Sequence, residues 1–287
     1  MTIIGPFTQQ FMSGATWNGQ DDFPGLQEMA NDVEDVLIFL DRESLLGAFS
    51  AQAKKQPNPR KRDELFAEAR AAYFLATNGF KVVGWHTSGA GNKEGEFNIS
   101  LGGSPNIFVE VKAPGYQGEI SWMINANPKH ESPNLQHLKD RRKQPKFITG
   151  AAEGFALAPH LDCMNVVRKN VLPKLMNTCP NLAIVVDDCF ITPVGHFSLV
   201  EDVQREFANP VRDPNDPEDK YDYNLLGGVL FLNLNFGPDR SGKGVDYNMN
   251  FVENQNALPT CSLPADVITL FLNLHEQSDK RTEQMWS

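Results

Sequence analysis

The chain has few cysteines and no long apolar run, and each shortage closes off a class of protein. Its four cysteines, Cys163, Cys179, Cys189 and Cys261, are scattered, and none belongs to a C-x-x-C pair. That pattern fits neither a disulfide framework nor a zinc ribbon. His160 beside Cys163 lacks two further ligands at zinc-binding spacing. The cysteines read instead as free thiols in a reducing cytoplasm. No stretch approaches the roughly 18 apolar residues of a membrane span. Met1 to Ser13 lacks the basic-then-apolar order of a secretory leader. A cytoplasmic protein without a membrane partner is the expectation. Neither a repeat nor a low-complexity tract is present. At 41% hydrophobic and 22% charged over 287 residues, the chain can bury one large core or two small ones.

Net charge is −10, which taken whole disfavours a phosphate-bearing partner. The distribution reverses that. Residues 1–50 carry a net −7, residues 51–150 a net +6 and residues 151–287 a net −9. Two clusters make the middle basic: Lys54, Lys55, Arg60, Lys61 and Arg62, then Lys139, Arg141, Arg142, Lys143 and Lys146. Each alone is an ordinary solvated surface. Flanking the motif described below, they point to nucleic acid, with Arg60, Lys61, Arg62, Arg141, Arg142 and Lys143 as its contacts.

Hydrophobic periodicity outlines the elements. Residues 25–53 have helical spacing, and Gln56 to Pro59 reads as a linker. A second helix, capped near Asp63, runs to about Asn78 and is closed by Gly79. Strands are expected at Lys81–His86, Glu96–Leu101 and Ile107–Lys112, the last two joined as a hairpin. Val166–Asn177 reads as a helix interrupted by Pro173. Leu182–Val186 and Val229–Phe236 read as strands, residues 209–222 as an exposed loop, and residues 265–277 as an amphipathic helix. The order defines an α/β protein with one main domain.

The hairpin carries the chemistry. Side chains on a strand alternate faces. Phe97, Ile99 and Leu101, like Ile107, Val109 and Val111, are odd-numbered and apolar, while Glu96, Glu110 and Lys112 are even. Pairing Leu101 with Ile107 buries both apolar faces together. It sets Asn98 opposite Glu110 and Glu96 opposite Lys112, with Phe108 as the exception on the polar side. Two neighbouring carboxylates repel unless a cation joins them. An all-oxygen site, completed by a backbone carbonyl such as that of Val111 and by water, suits Mg²⁺ or Mn²⁺. Such an ion activates water against a phosphodiester, and Lys112 can position that water or stabilise the developing charge. A lone Glu-x-Lys, by contrast, arises by chance in a chain of this composition and makes only a cross-strand salt bridge.

Context strengthens the motif. Residues 60–190 resemble the PD-(D/E)XK nuclease superfamily, whose members place a glutamate-bearing helix before a three-stranded meander. The matching residues are Glu68 in Phe66–Phe80, Glu96 before Phe97, and Glu110-Val-Lys112 in Ile107–Pro114. The helix and strand that follow resemble the closing half of that core. The resemblance implies a restriction-endonuclease-like fold, with a mixed central sheet flanked by helices over residues 56–287 and an N-terminal helical extension over residues 1–55. It also implies metal ligation by Glu96 and Glu110, with Glu68 acting directly or through water. The activity implied is Mg²⁺-dependent endonucleolytic hydrolysis, of DNA before RNA, and a homodimer is left open. Two departures stand out: Gly95-Glu96 replaces the usual Pro-Asp, and residues 114–165 form a long insertion.

Two rival readings remain. One is a catalytically inactive member of the same fold that binds nucleic acid or a protein. The other is a nucleotide-binding protein using Gly237–Gly244, which nearly spells a P-loop but has Gly244 where a hydroxyl belongs. His86 before a glycine-rich loop, the group His130, Glu131 and His137, and the pair Asp187 and Asp188 carry weaker signals.

Overall fold

The computed structural model describes residues 5–8, 26–55, 59–85, 96–113, 164, 166–186, 193–213, 216–238 and 245–286. The chain divides into two compact units: residues 1–74, 115–157 and 235–246 in the first, and residues 75–114, 158–234 and 247–287 in the second.

In the first unit, α1 (Leu26–Arg42) and α2 (Leu46–Lys55) replace the single helix that the periodicity implies. The break falls at Ser44, held at φ 61°. Neither proline nor glycine marks it, so the apolar spacing runs across it unnoticed. Next comes α3 (Pro59–Thr77), which starts four residues before Asp63. Leu65 to Ala67, Ala69 to Ala72 and Phe74 are all buried, so the helix is enclosed on nearly every side from Leu65 to Phe74. Within it Arg70 pairs with Asp32 at 3.0 Å. Gly79 closes the helix at φ 92°, where the Phe80 amide returns to the Leu75 carbonyl at 3.1 Å. That left-handed cap is the one the sequence anticipates.

The second unit is built on a six-stranded mixed sheet. In chain order its strands are β1 (Lys81–Trp85), β2 (Phe97–Ser100), β3 (Ile107–Lys112), β4 (Asn181–Val186), β7 (Gly228–Pro238) and β8 (Val245–Glu253). They lie side by side in that same order. β1, β2 and β3 pair antiparallel, whereas β3 with β4 and β4 with β7 are parallel. Residues 209–222 are not wholly a loop, since β5 (Val211–Asp213) and β6 (Asp216–Lys220) pair as a small separate hairpin. Helices α4 (Pro193–Ala208) and α5 (Ala265–Trp286) accompany the strands. No described helix is long and apolar enough to cross a membrane.

Both faces of the sheet are covered. On one, Phe108, Ala183, Val185, Phe231 and Val252 cluster with Val203 and Phe207 of α4 and with Val167, Val171 and Leu175. On the other, Phe251, one residue from Val252 and so facing the opposite way, meets Phe271 of α5 with ring centroids 5.1 Å apart. The segment carrying Val167, Val171 and Leu175 is not the regular helix expected. It is a π-helical turn, Val167–Val171, followed by a 3₁₀ turn, Leu172–Lys174. Pro173 has no N–H to offer a regular helix, and the irregular winding accommodates it. Asn181 fixes the chain where this segment enters β4. Its side-chain amide donates to the carbonyls of Met176, Cys179 and Leu225, at 2.6, 3.0 and 2.8 Å.

Candidate active site

Parity along the β2–β3 hairpin is as the alternation requires, but the register is not. Phe97 faces Val109, and Ile99 faces Ile107, two residues from the expected pairing of Leu101 with Ile107. The Ser104 amide closes a tight turn on the Leu101 carbonyl at 2.9 Å, with Gly102 at φ 56°. Pro105 has no N–H to extend the ladder. The pairing therefore begins at Ile99, and the same register carried one step further sets Glu96 opposite Glu110 rather than opposite Lys112. Asn98 faces Phe108, not Glu110.

That shift changes the electrostatics. The polar face expected at the hairpin is no solvent face, because Glu110 is fully buried and Glu96 nearly so. Phe108 marks the reason: its side of β3 is the side packed under Val167, Val171 and Leu175. Lys112 Nζ bridges the two carboxylates, 2.8 Å from Glu96 Oε1 and 2.6 Å from Glu110 Oε1. It also donates to the Val111 carbonyl at 2.7 Å, which places that oxygen at the same site.

A residue that the sequence reading missed completes the cluster. Lys174, from the 3₁₀ turn above the sheet, donates to Glu110 Oε1 and stands 4.0 Å from Glu96 Oε1. The signal lay in its spacing. Val167, Val171 and Lys174 fall at i, i+4 and i+7, so the lysine belongs to the buried stripe of its segment. Arg168 anchors that segment. Its guanidinium donates to Glu206 and Tyr223 and lies over the Tyr221 ring, 4.5 Å from the centroid.

The carboxyls interact directly. Burial, then the hydrogen bond and charge of Glu96, push the Glu110 pKa up to about 8, against the pull of Lys112. Burial also acts to raise Glu96, but the hydrogen bond with Glu110 and the charges of Lys112 and Lys174 outweigh it, so Glu96 lies below its ordinary value. Burial alone would lower the Lys112 pKa; the two glutamates raise it instead. Of the two, Glu110 is therefore the carboxyl that more readily takes a proton, and Glu96 the one that stays charged. Glu96 Oε2 and Glu110 Oε2 are both buried and receive no hydrogen bond, an arrangement that burial penalises unless a proton or a cation is supplied.

This donor set fits a hard divalent cation. Among the described residues no group of three or more Asp, Glu, His or Cys side chains gathers. Mg²⁺, however, is commonly held by one or two carboxylates with water filling its remaining positions. Two unpartnered carboxylate oxygens and the Val111 carbonyl supply oxygen ligands only, the chemistry that such an ion prefers.

Glu68 stands half-buried on α3, in the first unit. Arg60, Lys61 and Arg62 occupy the first turn of α3. Arg141, Arg142, Lys143, His86, His130, Glu131, His137, His160, Cys163, Asp187 and Asp188 lie outside the described residues. So do residues 239–244 of the P-loop-like segment, but its flanks are informative. It joins β7 to β8, neighbours in the sheet, so a strand follows it where a phosphate-binding loop needs a helix N-terminus. No protein-family model, curated protein or solved structure matches the chain.

Proposed function

We propose that the protein is a divalent-metal-dependent nuclease of the PD-(D/E)XK type, hydrolysing phosphodiester bonds of DNA. The observation that carries this reading is the meeting of Glu96, Glu110 and Lys112 on one sheet face, with two buried carboxylate oxygens left without hydrogen bonds. The element order supports it. A helix, a three-stranded antiparallel meander and a strand parallel to β3 follow one another, as the resemblance implies for the restriction-endonuclease-like core.

In this reading Glu96, Glu110 and the Val111 carbonyl hold the ion. A bound Mg²⁺ or Mn²⁺ supplies an activated water and neutralises phosphate charge. Lys112, kept protonated by both glutamates, donates to the charge that builds on the phosphoryl oxygens. Arg60, Lys61, Arg62, Arg141, Arg142 and Lys143 hold the nucleic-acid backbone.

Incubation with supercoiled plasmid and with single-stranded DNA tests the proposal. Nicking or linearisation is expected with Mg²⁺ or Mn²⁺ and none in EDTA. A second reading, a non-cutting member that binds nucleic acid or a protein, is favoured by the two lysines that already neutralise the carboxylates. Salt-sensitive DNA binding without metal-dependent cutting would select it.

A further inference from the structure

More positive charge surrounds the carboxylate pair than its Glu-x-Lys motif contains. Lys112 belongs to the motif and is held by three acceptors, Glu96, Glu110 and the Val111 carbonyl. Lys174 comes from a separate element and makes one close contact, with Glu110 Oε1; its distance to Glu96 Oε1 is 4.0 Å. The turn that bears it is firmly seated, since Val171 and Leu175 on either side are buried and Arg168 is tied to Glu206 and Tyr223. Its side chain keeps 24% of its surface exposed, so it is not sealed inside the protein. Lysine combines a compact charge with a flexible four-carbon stem, so it can give up one partner without moving the main chain.

A divalent ion on this pair would face two ammonium groups across two carboxylates. One of them is expected to yield, and Lys174 is the less firmly held. We propose that Lys174 is the resident counter-cation of the metal-free protein and leaves Glu110 when a divalent ion binds. This inference rests on the reading of Glu96 and Glu110 as metal ligands. In the metal-free state Lys174 keeps the buried carboxylates compensated, which spares the fold an unpaired charge. In the bound state its departure clears Glu110 Oε1 and removes a repelling charge.

Amine acylation of the wild-type protein, read by mass spectrometry with and without Mg²⁺, tests this without any assay of cutting. The Lys174 peptide is expected to react several-fold faster at saturating Mg²⁺, while exposed Lys280, paired with Glu276 far along the chain, serves as an unchanged reference. Independently, calorimetric titration of Lys174→Met with Mn²⁺ is expected to show binding on the order of tenfold tighter than wild type, since a like charge a few ångströms away is gone. Saturable metal binding with unchanged Lys174 labelling overturns this inference and leaves the metal site standing. So does weaker Mn²⁺ binding by a folded Lys174→Met. If that variant does not fold, the labelling of the wild-type protein decides. Absence of saturable binding by the wild-type protein overturns the metal site and this inference with it.

Discussion

Lys112→Met is expected to slow metal-dependent DNA cleavage by roughly 10²–10³-fold while the protein still folds and still binds Mn²⁺. The size follows from the loss of one preorganised donor aimed at developing charge. Methionine keeps most of the length and apolar stem of lysine but donates nothing. The ammonium is not a metal ligand, so the carboxylates remain available, and removing a positive charge next to them does not weaken capture of a cation. The change should therefore appear in the single-turnover rate rather than in metal affinity. Single-turnover cleavage of a labelled duplex, with circular dichroism as the check on folding, provides the comparison. Retention of the wild-type rate would remove Lys112 from the chemistry. Loss of Mn²⁺ binding in a folded variant would mean that its role is to assemble the site.

Glu110→Gln is expected to make the metal-free protein more stable than wild type above about pH 8, by on the order of 4 kcal/mol, and to leave the two nearly equal near pH 5. The cause is the Glu110 pKa, raised to about 8 by burial and by Glu96. A carboxyl whose folded value is raised favours its protonated form in the native state. Its stabilising contribution is complete below the unfolded value, near 4.5, and is lost as pH rises towards 8. Glutamine mimics the protonated form at every pH and loses nothing. Urea denaturation of both proteins in EDTA, from pH 5 to pH 9, should give midpoints that diverge with rising pH. Parallel curves would show that Glu110 ionises freely and that the two carboxyls are not coupled. The same variant should lose cleavage, so the wild-type carboxylate is retained at a cost to stability, as expected of a functional site.

Much of this site was legible because alternation is a local property. The bounds of β3, Ile107–Lys112, are those read from the apolar positions, and the even parity of Glu96, Glu110 and Lys112 followed from the same pattern. Alternation fixes which face a residue takes, but not which partner it meets. A slide of two residues preserves every face, so Glu96 came opposite Glu110 while the sequence pattern stayed satisfied. The burial of that face was less visible, since it depends on β4 and on the turn at Val167–Lys174, far away in sequence. Phe108, an aromatic among polar neighbours, was the local sign of it. Lys174 hid for the same reason, although its place in an apolar stripe set it apart from a solvated lysine. Elsewhere, β8 was overlooked although Tyr247, Met249 and Phe251 alternate, and the proline- and aspartate-rich stretch that forms β5 and β6 masked a hairpin behind loop-like composition.

The claim on which the rest depends is that Glu96 and Glu110 together capture a divalent cation. Calorimetric titration of the EDTA-stripped protein with Mn²⁺, beside Glu96→Gln, tests it most directly. Saturable binding to wild type is expected, with a loss of affinity of at least about tenfold in the variant, the scale at which even a supporting residue of a metal site acts. Equal binding by the two proteins, or no saturable binding by either, would contradict it.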